Sequence, residues 1–567
     1  MTDIILIQPP IEDFYFTYKR TIPYGLASIA SSLLQHNFSV EIVDCLAVTK
    51  SKIISIPSQM DYLLNYYGKE DTSIFSLFHD FRHYGYSYEY AAKIVRDKKP
   101  FLVGISSLFT PYCNYAEKTA QAVKEFYPNC KIVMGGHHPT VLPHEVMKCS
   151  AVDFVLRGEG EISMPMLANI IKNGDNLKEI QGIVFREKDE KLYISEPSWI
   201  EDFSILPPPA MELVNHNFYS RSKIHGNKIS DNVKKSDNSN ISKAIIKRGS
   251  TVVVANRGCP MPCTYCSVGA SSSHGRFRQR TVKSVINELE AQITKYNIGF
   301  IDFEDENLTL NRKWFLELMD EIVRLYGKRE IELRAMNGLF PPSLDEEVII
   351  AMKRAGFKTL NLSLGSTSQE QLKRFKRPDV RASFENVLSI AEHYGLETVS
   401  YLIAGSPYQN PEESLNDLLF LAQKKTLIGL SIFYPAPGSV DYEECFKTGI
   451  LPDDFLLMRS SALPIDNTTS RIQSVTLLRI ARVINFMKSL VNDNRSIPTP
   501  EPYKDSNIIN TAASLSQRKE SGVTLLKWFL HDGVLRGINK AGKVFEHFVD
   551  FELCTRFVKD VQNLLIK

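Results

Sequence analysis

The chain has 567 residues, 43% of them apolar, 23% charged and 10% aromatic, with 67 basic against 65 acidic groups for a formal charge of +2. This balance argues against a broadly basic, polyanion-binding surface, so no nucleic-acid partner is expected. No apolar run approaches the roughly 20 residues of a membrane helix, and the start lacks the basic region and cleavage site of a secretory leader, so a cytoplasmic protein of three or four domains is expected.

In chain order, Ile4–Ile7 reads as a buried strand, Gly25–Leu34 as a helix and Val40–Asp44 as a second strand. Beyond a Tyr-rich stretch come the strand Phe101–Ser106, the helix Tyr115–Phe126, and the strands Lys131–Met134 and Asp153–Leu156. Continuous apolar strands separated by helices specify a Rossmann-like, doubly wound parallel sheet over residues 1–165. Ligands of such sheets lie beyond the carboxyl ends of the strands. The residues there are Gln8-Pro9-Pro10, Ser106-Ser107, Gly135-Gly136-His137-His138-Pro139 and Arg157-Gly158-Glu159-Gly160-Glu161.

Residues 166–248 read as a connector with a short hairpin (Gly182–Arg186, Lys191–Ile194), the turn Leu206-Pro-Pro-Pro-Ala and a polar surface loop, Asn215–Lys243. The alternation restarts over residues 249–451, with strands at Thr251–Ala255, Gly299–Phe303, Ile331–Ala335, Thr359–Leu364, Thr398–Ala404 and Leu430–Tyr434. Six β/α units are too few for a closed eight-stranded barrel and fit a partial (β/α)6 barrel. Residues 452–567 carry helical patterning (Leu477–Val491, Val523–His531) and read as a mainly helical C-terminal domain.

Of nine cysteines, six are scattered and read as small buried apolar residues. The other three stand in Asn256-Arg-Gly-Cys259-Pro-Met-Pro-Cys263-Thr-Tyr-Cys266, in the loop after the barrel's first strand. Two prolines and a glycine keep this loop out of a regular helix, so its thiolates can wrap one object. Thiolates select zinc, copper(I) or iron–sulfur clusters, and three ligands leave a four-iron cluster with one iron open for chemistry. A Cys3His zinc site completed by His274 is the competing reading.

The C-x3-C-x2-C pattern, with an aromatic residue before the last cysteine, resembles the radical S-adenosylmethionine (radical SAM) superfamily. Asp302-Phe-Glu-Asp-Glu-Asn-Leu-Thr resembles its acidic segment at the second strand, Tyr401-Leu-Ile-Ala-Gly-Ser-Pro its fifth-strand stretch, and Pro435-Ala-Pro-Gly-Ser its turn after the sixth. The resemblance implies a [4Fe-4S] cluster on Cys259, Cys263 and Cys266 as the catalytic and metal site. It also implies SAM contacts from Tyr265, Glu304, Asp305, Ser366, Ile403 and Gly405. Where relatives often have a Glu-Ser pair after the fourth strand, this chain has Gly365-Ser366.

The front domain resembles the cobalamin-binding domain of the B12-dependent branch, through Pro9-Pro10, Pro23-Tyr-Gly-Leu, Gly135–Pro139 and Val152–Glu161. The implied cobalamin contacts are Pro10, Ser107, Gly135, Gly136, His137, Arg157, Gly158 and Glu159. The mutase-type D-x-H-x-x-G motif is absent; Asp80-Phe-Arg-His83-Tyr-Gly85 has the wrong spacing. His137 and His138 are the alternative cobalt ligands, and both more often line the loop.

The resemblance implies a cobalamin-dependent radical SAM enzyme that methylates an unactivated carbon of a small molecule or natural product through a 5′-deoxyadenosyl radical and methylcobalamin. A one-electron reductant such as flavodoxin or ferredoxin would be its partner. Cyclisation or rearrangement without net methylation is the alternative, followed by a non-catalytic cobalamin- or metal-binding regulator. Gly537–Val544 imitates a phosphate loop, but Val544 stands where the magnesium-binding hydroxyl belongs, so a surface turn is expected.

Overall fold

The computed structural model describes residues 2–17, 21–219, 248–271, 276–327, 331–505 and 514–565. Its first sheet contains β1 (Ile4–Gln8), β2 (Val40–Asp44), β3 (Leu102–Ser106), β4 (Lys131–Gly135), β5 (Phe154–Leu156), β6 (Ile183–Arg186) and β7 (Leu192–Ile194), in the order β7-β6-β5-β4-β3-β1-β2. Strands β1 to β5 pair in parallel, whereas β6 and β7 add antiparallel at one edge. The parallel part therefore has the 2-1-3-4-5 order, whose switch point lies between β1 and β3.

Alternation along the strands produces the layers. Ile5, Ile7, Val103, Ile105, Ile132 and Met134 bury one face, partly against α2 (Cys113–Phe126). Ile4, Leu6, Leu102 and Val133 bury the other against α1 (Tyr24–Gln35) and α3 (Gly160–Asn173). The connector expected at 166–248 is thus corrected in part. Its hairpin belongs to the first sheet because Val184 and Ile183 complete these two apolar faces. The loop expected at Asn215–Lys243 lies almost wholly outside the described residues.

The Tyr-rich stretch forms part of an insertion. Residues Ile11–Asp13, Ser51–Ile53 and Arg82–Tyr84 make a small antiparallel sheet. Phe14, Met60, Leu63, Tyr67, Phe75 and Phe81 sit in the same core as the barrel.

The barrel has six parallel strands in two groups of three: β8 (Gly249–Val253), β9 (Ile298–Phe303) and β10 (Glu332–Arg334), then β11 (Thr359–Gly365), β12 (Glu397–Ala404) and β13 (Leu427–Ile432). Single bridges at Leu333–Phe357 and Leu339–Leu362 join the groups, so the partial-barrel expectation holds. Ile301, Phe303, Leu333, Leu360 and Leu362 belong to the shared core with the helices between strands, α4 (Val282–Tyr296), α5 (Arg312–Tyr326), α6 (Glu346–Ala355) and α7 (Arg381–His393). The opposite face is polar, with Arg334 at 4.0 Å from Asp302 and the Tyr401 hydroxyl donating to Asn361 at 3.0 Å.

In the C-terminal region α8 (Pro411–Ala422) packs against α9 (Arg471–Asn492), which runs along β13. There the Asn485 side chain exchanges two 2.9 Å hydrogen bonds with the backbone of Ile428. A hairpin, Arg536–Ile538 with Val544–Glu546, interrupts the helices. The phosphate-loop mimic is its turn, as expected.

Candidate functional site

Cys259, Cys263 and Cys266 are half-buried in the loop between the end of β8 and the short helix Val268–Ser271. Burial pushes the Cys259 thiol up and the Cys266 thiol up to about 11, and the neighbouring cysteines of the trio add to both. The backbone N–H groups of Met261 and Val268 act the other way, on Cys259 and Cys266 respectively. Asn307 Nδ2 lies 3.9 Å from Cys259 Sγ. Three mutually interacting thiols with N–H donors turned to their sulfurs form a donor set that fits an iron–sulfur cluster. His274, the fourth ligand of the zinc alternative, lies outside the described residues, among which no three His, Cys, Asp or Glu groups converge on one ion.

The residues expected around SAM divide into two groups. Glu304 follows β9 on the cysteine side of the barrel, with its N–H donating to Val253 O at 3.0 Å. Asp305 instead turns inward, and its Oδ1 accepts from Ala255 N (3.1 Å) and Asn256 N (2.6 Å). Burial raises its pKa well above the usual carboxylate range. It holds the end of β8, from which the cysteine loop departs.

Glu306, which sequence reasoning passed over, accepts from Gly258 N at 3.1 Å and is electrostatically coupled to Cys259 and Cys266. Of the Glu304-Asp305-Glu306 run, its third member therefore lies nearest the thiols in this sense. Residue type gave no means of choosing among the three.

Ser366 is buried, and its hydroxyl donates to Asp417 Oδ2 at 2.8 Å. Thr367 N donates to Asp417 Oδ1 at 2.6 Å, so the carboxylate of α8 clamps this turn. At Gly365, with φ of +84°, an added Cβ would lie 3.3 Å from Cδ and Nε of Arg377. The position that carries an acid in relatives is here bordered by a guanidinium. Arg377 donates to the Tyr265 hydroxyl at 2.8 Å and to Ser363 Oγ at 2.8 Å, fixing the ring between the last two cysteines. Ile403 lies at the end of β12 and Gly405 directly follows it; Gly405 has φ of +73°, and its Cβ position would lie 3.1 Å from Ser474 Oγ at the start of α9.

At the carboxyl end of the first sheet, Pro10, Ser107, Gly135, Gly136 and His137 gather around the switch point and the adjoining strand end. Gly136 has φ of +121°, and a Cβ there would lie 2.6 Å from Ser107 O. Ser107 Oγ is buried and reaches no partner among the described residues, an orphan that suits a bound ligand. His137 is exposed, yet burial lowers its pKa. Tyr434, beyond β13, is 42% exposed and is electrostatically coupled to Cys266.

Leu108 and Phe109 expose apolar surface beside Ser107. Glycines that bring backbone close, an orphan hydroxyl and apolar walls fit a large planar ligand such as cobalamin. His138 is buried; its Nδ1 lies 3.3 Å from Thr110 Oγ1, and burial lowers its pKa to about 4. His83 is engaged by Glu12 and the Tyr86 carbonyl, both at 3.1 Å.

Arg157 and Glu159, expected at cobalamin, do other work in this structure. Arg157 donates to the carbonyls of Thr140 (3.0 Å) and Ser195 (2.8 Å). Gly158 has φ of +83°, and its Cβ position would collide with Ser198 O. Glu159 receives Arg278 through both oxygens (2.7 and 2.9 Å) and Arg257 at 3.2 Å, while Glu161 receives Arg257 at 2.6 Å. Arg257 stands two residues before Cys259. The Arg-Gly-Glu-Gly-Glu segment is therefore a lock that ties the end of β5 to the root of the cysteine loop.

A second tie joins α1 to the barrel, where Arg280 donates to Glu288 (2.5 Å) and to the Tyr24 hydroxyl (3.3 Å). Beside the cysteines, a Cβ on Gly438 would lie 2.7 Å from Ala270 Cβ and 3.1 Å from Val141 Cγ1, so the turn after β13, the cysteine loop and the first sheet meet there. Paired charges between two distant segments could have flagged the arginines, but the sequence does not say which acids they meet.

Comparison with known proteins finds matches in both parts of the chain. Residues 17–168 match the B12 binding domain model and residues 253–421 the radical SAM superfamily model. An uncharacterized methyltransferase of Pyrococcus horikoshii is 26% identical over 79% of this chain and 84% of its own length. The cytidylyl-2-hydroxyethylphosphonate methyltransferase of Streptomyces wedmorensis is 22% identical over 80% and 84%. The anaerobic magnesium-protoporphyrin IX monomethyl ester cyclase of Cereibacter sphaeroides is 24% identical over 63% of this chain and 55% of its own.

Among solved structures, the radical SAM methyltransferase TsrM of Kitasatospora setae, with cobalamin and a [4Fe-4S] cluster bound, shares the fold at TM-score 0.56 and 16% identity, over 79% of this chain and 75% of its own. The cobalamin-dependent radical SAM enzyme OxsB, with aqua-cobalamin and SAM bound, does so at TM-score 0.60 and 13% identity, over 99% and 79%. With its first sheet locked onto the root of a three-cysteine barrel loop, the chain is a B12-binding domain followed by a radical SAM domain.

Proposed function

We propose that this enzyme transfers a methyl group to an unactivated carbon of a small organic substrate. The observation that carries the reading is the lock itself. Glu159 and Glu161 hold Arg257 at the root of the cysteine loop, which keeps the end of β5 beside that loop, and Tyr434 is electrostatically coupled to Cys266. When bound, the cluster with SAM supplies a 5′-deoxyadenosyl radical and cobalamin supplies the methyl group.

The chain's own residues do the positioning. Cys259, Cys263 and Cys266 hold the cluster. Glu304 and Glu306 offer carboxylates for the SAM amino group, and Ile403 and Gly405 border the nucleoside side. Tyr265 is fixed by Arg377. Pro10, Ser107, Gly135, Gly136 and His137 line the cobalamin side, and the apolar Leu108 and Phe109 help exclude water. The methyltransferase names of two relatives that match over more than four-fifths of their length support methyl transfer.

The test is anaerobic turnover with methyl-deuterated SAM, methylcobalamin carrying the same deuterated methyl group, a low-potential reductant such as flavodoxin, and cell extract. A product carrying the deuterated methyl group supports the reading. Product formed with 5′-deoxyadenosine but without that label supports instead the second reading, ring formation without methylation, which the cyclase relatives favour. A protein that produces neither contradicts both.

A further inference from the structure

One charged cluster has no part in the site above. Helix α9 carries Arg479 and Arg482 one turn apart, beside the aromatic insertion. Arg479 is 3% exposed; its Nη2 donates to Tyr66 O at 3.1 Å, while Nε and Nη1 reach no acceptor among the described residues. Tyr67 is 1% exposed, and its hydroxyl likewise reaches none among them. Arg482 is exposed, and both arginines are electrostatically coupled to Tyr67.

Asp71 is the carboxylate coupled to both arginines. Its oxygens already accept from Ser73 N (2.8 Å), Ile538 N (3.1 Å) and His547 Nε2 (3.0 Å). Two guanidinium groups against one committed carboxylate leave the cluster short of negative charge and of hydrogen-bond acceptors. Buried donors of this kind are costly unless something accepts from them. Anchoring the insertion to α9 would account for the bond to Tyr66. It would not account for the two open nitrogens beside an open hydroxyl.

We propose that Arg479, Arg482 and Tyr67 form a recognition site for an anionic oxygen group, a carboxylate or a phosphate, borne by the substrate or by a free anion. Arg479 would supply a fork of N–H groups, Arg482 a second charge at the entrance, and Tyr67 a neutral donor, the arrangement that planar or tetrahedral oxyanions require. The substrate as the source of that group rests on the function proposed above; the anion site itself does not.

The test measures binding without turnover. Inorganic phosphate and acetate are titrated into the reconstituted holoenzyme at constant ionic strength, with the thermal midpoint as readout. The wild type should show a saturable rise that chloride does not reproduce. Arg482→Gln should weaken it about tenfold and Tyr67→Phe about threefold, the effects of losing a charged and a neutral hydrogen bond. Arg479 is left intact, since its removal would disturb a buried position. Equal responses in all three proteins, or no saturable response in the wild type, would overturn the site.

The source of the anion is decided with methyl-labelled SAM and cell extract. Labelled product that an anion exchanger retains, and that Arg482→Gln loses while still forming 5′-deoxyadenosine, supports a substrate-borne group. Loss of the phosphate response with unchanged labelling overturns the substrate assignment. If the wild type makes no labelled product, methyl transfer is contradicted while the binding result still decides the anion site.

Discussion

Replacing Glu159 with Gln isolates the lock between the two cofactor domains. The amide keeps the size of the side chain and can still accept from Ile200 N, at 2.7 Å in the native protein. It removes the charge that faces Arg278 and Arg257, whose side chains are 4% and 21% exposed. Stranding one side of a buried pair costs about 3–5 kcal/mol; the retained amide puts the expectation at ~3 kcal/mol. A solvent-exposed group gives the comparison. Arg312 pairs with Asp345 (2.7 Å) and Glu347 at side-chain exposures of 46% to 69%, and Arg312→Ala should cost far less, because water screens the pair.

Denaturant unfolding of the anaerobic holoprotein measures both variants, and cobalamin retained after gel filtration reports the domain contact. Burial works to raise the Glu159 pKa, but Arg278 and Arg257 together hold it below the usual value. Its contribution is therefore present above the ordinary glutamate pKa and lost as the pH falls through the lower native one. The penalty in Glu159→Gln should accordingly be constant across neutral pH. If Glu159→Gln costs no more than Arg312→Ala and keeps its cobalamin, the segment is not a lock.

Three further outcomes follow from single positions. Cys263→Ala should abolish SAM cleavage and the visible absorbance of the cluster while leaving cobalamin bound; loss of both cofactors would contradict the domain division. Gly136→Ala places a methyl group 2.6 Å from Ser107 O at a positive φ, so it should lose cobalamin, checked by bound-cofactor absorbance, while the cluster still forms. Burial raises the Asp44 carboxyl from 3.8 to about 6, a shift equivalent to ~3 kcal/mol. A raised native pKa means stability that is present below the unfolded value and lost as the pH rises through 6. Asp44→Asn, whose Oδ1 can still accept from Leu46 N, should flatten that loss between pH 4 and 7 in denaturant titrations; an unchanged slope would refute it.

The sequence was most informative where a pattern is dictated locally. Apolar alternation exposed both parallel sheets because each strand face must be buried, and the cysteine loop was legible because its prolines, glycine and thiols are adjacent. The strand pairing of Ile183–Ile194 was not legible: a short hairpin carries the same signals whether it stands alone or completes a sheet edge. Glu159, Asp305 and Ser366 illustrate a second limit. Their types suit ligand binding, but their bonds go to Arg278, Ala255 and Asn256, and Asp417, partners that only tertiary contact selects. The role of Arg377 beside Gly365 was hidden for the same reason. The Asp71, Tyr67 and Arg479 cluster joins segments about 400 residues apart, beyond the reach of any local motif.

The central claim is that Cys259, Cys263 and Cys266 hold one four-iron cluster with an iron left open for SAM. Electron paramagnetic resonance of the anaerobically reconstituted, reduced protein, recorded before and after SAM is added, tests it most directly. A reduced [4Fe-4S] signal whose shape changes when SAM binds is the expected result. A signal that SAM leaves untouched, or a protein that takes up zinc and shows none, would contradict it.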